Sequence, residues 1–212
     1  SPVREQRFIT AYAGDFLYNH HQIMQNAKEK IRRKALSKRR ALNHEENMHA
    51  SKKITHAIIN SNYYKKANTI GCYLSMKDEV NTELMIREIK KNNKSLFLPK
   101  IQLDATINFI QINKDSRYST NQYGIKEPKD NEDQDIEQID LIIVPLVAFD
   151  STGKRIGMGG GYYDKKFQSL RQNNKKPILI GIAFDCQHFK AIQSDSWDID
   201  LDHVFTESGC IF

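Results

Sequence analysis

At 212 residues, with 39% hydrophobic and 27% charged side chains, the chain is long enough to bury a sizeable core and fits one domain. A net charge of +6 favours anionic ligands, and no apolar run approaches the ~20 residues that span a bilayer, so no membrane partner is expected. Cys72, Cys186 and Cys210 are scattered and odd in number, with no C-x-x-C pair; they suggest neither a disulfide framework nor a zinc site, and a reduced cytoplasm is the expected compartment.

Phe8, Tyr12, Phe16 and Tyr18 put a helix-like aromatic stripe near the start of the chain. Residues 27 to 42 read as a helix, with Ile31, Ala35 and Leu42 on one face. The same stretch packs eight cations into thirteen residues: Lys28, Lys30, Arg32, Arg33, Lys34, Lys38, Arg39 and Arg40. Such a run is a solvated face, a nucleic-acid patch or an anion site. No aromatics are interleaved to stack on bases, which argues against nucleic acid. The spacing from Lys28 to Arg32 puts both on one helical face, which supports the anion site.

Asn43 followed by Glu46 makes a capping-box pattern for a second helix, with Met48, Ser51, Ile54 and Ile58 at helical spacing. Thr69 to Ser75 reads as a strand, Thr82 to Asn92 as a helix, and Ser95 to Leu98 as a strand closed by Pro99. Thr106 to Ile112 is a further strand, and polar Gln122 to Asp135, with Gly124 and Pro128, reads as a loop. Leu141 to Phe149 has pure strand character, Tyr162 to Asn173 is helix-like, Pro177 to Phe184 is strand-like, and His203 to Glu207 forms a last short strand. The alternation predicts a layered α/β sheet.

Between the Leu141 run and the Tyr162 helix lies Arg155-Ile156-Gly157-Met158-Gly159-Gly160-Gly161-Tyr162-Tyr163-Asp164, which holds four of the ten glycines in the chain. Glycine costs backbone entropy, so a cluster is kept where side chains would obstruct something. A strand, a glycine loop and a helix start together offer free N–H groups to an anion. Arg155 adds a fixed positive charge, and Asp164 in the first helical turn adds a hard oxygen suited to Mg2+. The spacing is not that of a P-loop, since no Lys-Ser or Lys-Thr follows. Nor is it the dinucleotide fingerprint, which needs glycine where Tyr162 stands. The pattern describes a nucleotide phosphate site.

R-x-G-x-G-x-G-Y-Y-D resembles the signature of the 5-formyltetrahydrofolate cyclo-ligase family, also called 5,10-methenyltetrahydrofolate synthetases. Four further elements follow the family's order: Lys28-Glu29-Lys30-Ile31-Arg32; Leu74-Ser75-Met76-Lys77-Asp78-Glu79; Gly124-Ile125-Lys126-Glu127-Pro128 with Tyr123 before it; and Asp198 with Asp202 ahead of His203-Val204-Phe205-Thr206-Glu207. The resemblance runs from roughly Lys28 to Glu207 and implies a three-layer α/β/α sandwich with a mainly parallel sheet, similar to the sugar-phosphate isomerase/CoA-transferase-like fold. Family members begin close to the basic helix. Residues 1–26 are therefore expected to be an upstream extension or a cloning remnant, with Met24 the natural start and 27–212 the single cyclo-ligase domain.

The implied reaction turns 5-formyltetrahydrofolate and ATP into 5,10-methenyltetrahydrofolate, ADP and phosphate. An N-formyl oxygen leaves poorly; once phosphorylated, it makes the carbon open to attack by N10, and loss of phosphate completes the ring. That chemistry asks for positioning and charge neutralisation. By resemblance, Lys28, Arg32, Arg155, Gly157, Met158, Gly159, Gly160, Gly161, Tyr162 and Tyr163 bind ATP, and Arg155 with Gly159, Gly160, Gly161 and Tyr162 forms the catalytic centre. The other six cations of the basic helix are read as solvent-facing or as general attraction for an anionic substrate. Leu74, Glu79, Tyr123, Met158, Gly160 and Tyr162 are assigned to the folate, with Met76 as a further apolar wall and Lys100 as a candidate for its glutamate tail. Glu79 supplies an acceptor-only carboxylate for the donor-rich pterin edge. Asp164 and Asp198 are the expected Mg2+ ligands, with Asp202 the alternative to Asp198. Met158 and Gly160 stand where some relatives carry basic residues, and Trp197 where the family often has His. The expected partners are these small molecules, not nucleic acid, and the expected state is a monomer or weak homodimer.

Overall fold

The computed structural model describes residues 22–104, 106–121, 124–130, 135–168 and 177–212. Helix α1 covers residues 22–40, so residues 22–26 continue the basic helix, which ends two residues short of the predicted 42. The aromatic stripe from Phe8 to Tyr18 lies outside the described residues. Helix α2 (His44–Asn60) opens on the predicted capping box: the Asn43 side chain accepts from the Glu46 amide at 3.0 Å, and Glu46 accepts from the Asn43 amide at 2.9 Å. Its buried stripe is Asn47, Ala50, Ser51, Ile54, Thr55 and Ile58. Met48, expected among them, is exposed, because at 100° per residue it sits at the edge of that stripe.

After α3 (Asn62–Lys66) come β1 (Thr69–Gly71), α4 (Glu83–Lys91), β2 (Ser95–Ile101), β3 (Ile107–Ile112), β4 (Tyr118–Thr120), β5 (Lys126–Pro128), β6 (Leu141–Pro145), β7 (Ala148–Phe149), β8 (Arg155–Ile156), α5 (Tyr162–Phe167), β9 (Ile178–Ile182), β10 (His203–Thr206) and β11 (Gly209–Cys210). Seven strands form one sheet in the order β11-β10-β9-β6-β1-β2-β3. The five central strands run parallel, and β11 and β3 join antiparallel at the edges. In β6, Leu141 and Ile143 pack with Ile54 and Ile58 of α2 and Met85 and Ile89 of α4, while Ile142 and Val144 pack with Phe97, Phe109 and Phe167. A strand buried on both faces reads as a continuous apolar run, as this one does. Helices α2 to α4 cover one face and α5 the other, which gives the expected three layers.

Four sequence boundaries are corrected. The Leu141 run breaks at Leu146 and Val147, whose carbonyls accept from Gln187 Nε2 at 3.1 and 2.9 Å; Ala148–Phe149 then pairs antiparallel with Arg155–Ile156 in a separate hairpin. The predicted Thr69–Ser75 strand stops at Gly71, because the Tyr73 carbonyl and the Ser75 amide both turn to the Thr82 hydroxyl. Pro99 does not close β2, which continues to Ile101. Phe97 points its carbonyl toward the β1 side, where it accepts from Cys72; Pro99, two residues on, faces the same side beyond the end of β1, where no donor is needed. Finally, the predicted Gln122–Asp135 loop contains β5, paired with β4 from Tyr118↔Pro128 to Thr120↔Lys126.

Candidate functional site

A cavity of about 830 Å³ opens beyond the carboxyl ends of β1, β2 and β6, where Tyr73, Leu74, Leu98, Pro99, Ile101, Pro145 and Leu146 line it. Parallel sheets present their sites at these strand ends. The β7–β8 hairpin brings the glycine loop to its wall. The turn of that hairpin is fixed by Asp150, whose carboxylate accepts from the amides of Thr152, Lys154 and Ile192. Gly153 in the same turn has φ +90°, and a Cβ there would lie 2.6 Å from the Leu201 carbonyl oxygen.

The loop from Gly157 to Gly161 lines the cavity. Gly159 (φ +104°) and Gly161 (φ +65°) occupy backbone that disfavours side chains, and Gly161 is the N-cap of α5. At Gly160 a Cβ would meet the Tyr162 ring at 2.4 Å, whereas at Gly157 it would meet nothing within 4 Å. Among the described residues, none of the five N–H groups from Gly157 to Gly161 donates to a protein acceptor. Arg32 of α1 reaches the loop, its Nε donating to the Gly157 carbonyl at 2.9 Å and its side chain paired with Glu29. Free amides beside a guanidinium are the kind of group that an anion pairs with.

The other charged residues are bound to one another. Arg155 is buried and pairs with Asp164 at 2.9 Å, while also donating to the Ile199 carbonyl. Asp164 Oδ1 accepts from the Ile199 amide as well, at 3.1 Å. This carboxylate therefore ties α5 to the loop before β10, a structural duty that the metal-ligand reading did not include. Lys28 is buried, with Nζ 2.6 Å from Asp195 and 2.5 Å from Asp198. Burial pulls its ammonium down, but the hydrogen bonds and charges of the two carboxylates outweigh this and hold its pKa above the ordinary lysine value. Asp202, the alternative to Asp198, instead accepts from the Leu179 amide at 2.8 Å and is not part of the cavity wall.

Glu79 also lines the cavity, as do Leu74 and Met76. Its Oε2 accepts from the Met76 amide at 2.9 Å, and Oε1 lies 4.0 Å from Arg39. Burial pushes the Glu79 carboxyl above its ordinary value, only partly offset by the Met76 amide and Arg39. Its neighbour Asp78 is held below the usual carboxylate range, because hydrogen bonding to Arg39 overcomes the effect of burial.

The structure thus brings Lys28, Arg32, Arg155, the glycine loop, Met158, Tyr162, Tyr163, Asp164, Asp198, Leu74, Met76 and Glu79 to one cavity. Tyr163 also packs its ring between Phe109 and Phe167, so half its role is in the core. Tyr123 lies outside the described residues. Lys100 is turned to the backbone carbonyls of Lys129 and Asp130, at 2.7 and 3.0 Å. Arg39, read as solvent-facing, is 3% exposed and corrects that expectation. The signal was present: residues 28, 32, 35 and 39 follow the helical period, so Arg39 shares the inward face of Ala35. Asp195 and Tyr73 were missed. Asp195 is one of four acids in eight residues, and nothing in their order marks it.

The fold and the site define an α/β protein whose cavity is lined by both a glycine loop and a buried carboxylate. Residues 24–207 match the 5-formyltetrahydrofolate cyclo-ligase family, and the chain belongs to that family. It is 33% identical to the 5-formyltetrahydrofolate cyclo-ligase of Haemophilus influenzae, over 72% of this chain and 82% of that protein. The mouse 5-formyltetrahydrofolate cyclo-ligase is 30% identical over 87% of this chain and 95% of its own length. Among solved structures, the Aquifex aeolicus 5,10-methenyltetrahydrofolate synthetase matches with a TM-score of 0.75 and 32% identity, covering 86% of this chain and 91% of that one.

Proposed function

We propose that this protein converts 5-formyltetrahydrofolate to 5,10-methenyltetrahydrofolate with ATP, releasing ADP and phosphate. The observation that carries the reading is a single cavity lined both by unpaired backbone donors and by a buried acceptor. The free amides of Gly157 to Gly161 beside Arg32 suit phosphate, and buried Glu79 between Leu74 and Met76 suits a pterin edge.

In this reading, the glycine-loop amides hold the transferred phosphoryl group as it reaches the formyl oxygen, acting as preorganised donors. Arg155, fixed by Asp164, contributes positive charge from the same wall. Glu79 accepts from the pterin ring and so sets which face of the folate meets the phosphate. Met76 and Met158, both partly exposed at the cavity, close over the rings and exclude water. Attack by N10 on the activated carbon forms the new carbon–nitrogen bond, N10 gives up its proton to solvent, and the carbon–oxygen bond breaks as phosphate leaves with the oxygen.

Asp164 and Asp198 offer hard carboxylate oxygens on the cavity wall, which fits Mg2+. That ion is commonly held by one or two carboxylates together with substrate phosphates, and no group of three protein ligands exists among the described residues. When bound there it would neutralise phosphate charge. The proposed setting is the cytoplasm; among the described residues no helix is long and apolar enough to cross a membrane.

The direct test follows the absorbance of the methenyl product from 5-formyltetrahydrofolate, with and without ATP and Mg2+. Product formation only when both are present is expected. Product without ATP, or none under any condition, overturns the reading.

A further inference from the structure

We infer that Arg39 is the positioning residue for Glu79, holding its carboxylate in place as an acceptor that faces the cavity. The inference rests on the reading of Glu79 as the folate contact. Arg39 lies on α1, with a side chain 3% exposed. Its Nε and Nη2 donate to Asp78 Oδ2 at 3.2 and 2.9 Å, and Nη1 stands 4.0 Å from Glu79 Oε1. One planar fork thus spans two adjacent carboxylates, a geometry a lysine ammonium cannot reproduce.

The backbone at this position is fixed separately. Asn47 Nδ2 donates to the Glu79 carbonyl at 3.0 Å, Ser51 donates to Asn47, and the Asn81 amide donates to Ser51. Helix α2 therefore locates the Glu79 main chain, and Arg39 with the Met76 amide orients its side chain. The fold alone does not require the Arg39–Glu79 contact, since Asp78 already neutralises the guanidinium.

The electrostatic role follows from the groups that face Glu79. Arg39 comes from α1, Asp78 from the same turn, Tyr73 from the chain beyond β1 and Tyr163 from α5; Asn47 of α2 is neutral. Among the described residues, Arg39 is the cation within ion-pair reach. Burial already favours the protonated carboxyl. Without Arg39, Asp78 would keep only the exposed Arg40, 3.6 Å away, Glu79 would lose its own cation, and its carboxyl would keep its proton to higher pH. A protonated carboxyl is no longer acceptor-only and mismatches a donor-rich ligand edge.

The test measures 5-formyltetrahydrofolate affinity by calorimetry across the neutral range for the wild type, Arg39→Met, Glu79→Gln and the double variant. Arg39→Met is expected to weaken folate binding about 10-fold at neutral pH, as for loss of a charged hydrogen bond. Its affinity should climb with pH over a range where that of the wild type is flat. In the Glu79→Gln background the same substitution should have no effect beyond about twofold, because the two act as one unit. An equal loss in both backgrounds, with no change in pH profile, would reduce Arg39 to packing and overturn the inference. If Glu79→Gln alone leaves folate affinity unchanged, the reading of Glu79 fails instead. Should Arg39→Met not fold, Arg39→Lys carries the comparison. Its loss should be about threefold or more, again only where Glu79 is present, and equal loss in both backgrounds again defeats the inference.

Discussion

Lys28 Nζ lies 2.5 Å from Asp198 Oδ2, and this contact joins α1 to the loop before β10 across 170 residues of chain. Removing one partner of a buried ion pair is costly because the other charge is left uncompensated. Lys28→Met should therefore raise the KM for ATP and lower stability by about 3 kcal/mol. Arg33→Met, at a side chain 74% exposed, should change stability by no more than about 0.5 kcal/mol. Thermal melting and ATP kinetics of the two variants decide the point; equal effects would mean that the basic helix acts only through its diffuse field.

Glu79→Gln should weaken 5-formyltetrahydrofolate binding about 10- to 100-fold while ATP affinity barely moves. The same variant carries a stability signature. Burial raises the Glu79 carboxyl in the folded state, so above the ordinary carboxylate value the folded chain keeps a proton that the unfolded chain has lost. Wild-type stability then falls as pH rises through the raised value, and the amide escapes that loss. The variant should gain stability relative to wild type as pH increases, and denaturant melts at acid and alkaline pH would show it. A difference independent of pH would contradict the burial of a charge there.

Asp164→Ala removes the carboxylate that pairs with buried Arg155 and accepts from the Ile199 amide. Both turnover and stability should drop, the latter by about 3 kcal/mol. Asp164→Asn keeps an acceptor oxygen in that place and should recover much of the stability but not the turnover. Full activity of the Asn variant at saturating Mg2+ would remove Asp164 from the chemistry.

The glycines separate folding from binding. Gly153→Ala combines a φ of +90° with a Cβ 2.6 Å from the Leu201 carbonyl, and it should destabilise by about 1–3 kcal/mol or more. Gly157→Ala meets open space at ordinary φ, so its melting temperature should stay near wild type. Any loss it causes should appear in ATP affinity, where a methyl group enters the cavity. A strong fall in stability at Gly157 would assign that glycine to the fold.

Trp197 is the single tryptophan of the chain, 49% exposed and on the cavity wall beside Asp198. Its emission should change saturably on titration with ATP. An emission that ATP leaves untouched would place the nucleotide away from this loop.

Much of the site was legible because its residues carry local signals. Glycines at 157 and 159–161 between a strand and a helix mark close backbone approach, and the Asn43–Glu46 spacing marks a cap. What escaped was set by long-range pairing. Nothing near Leu146 announces that its carbonyl will bind Gln187, 41 residues away, so the apolar run looked like one strand. Pro99 looked like a terminator because its tolerance depends on where the neighbouring strand ends. Asp195 became a partner of Lys28 only through a contact spanning 167 residues. Arg39 alone was readable in advance, from its periodicity with Ala35.

The cavity takes its walls from α1, the chain after β1, the end of β2, the glycine loop and the segment from Asp195 to Asp198. No contiguous fragment of the chain contains the site, so a ligand finds its full set of contacts only on the folded molecule. Ligand occupancy and folding are therefore one equilibrium: a ligand at 100 times its dissociation constant adds about 2.7 kcal/mol to the free energy of unfolding. The fraction of this protein that is unfolded at any moment accordingly depends on the supply of the molecules it binds.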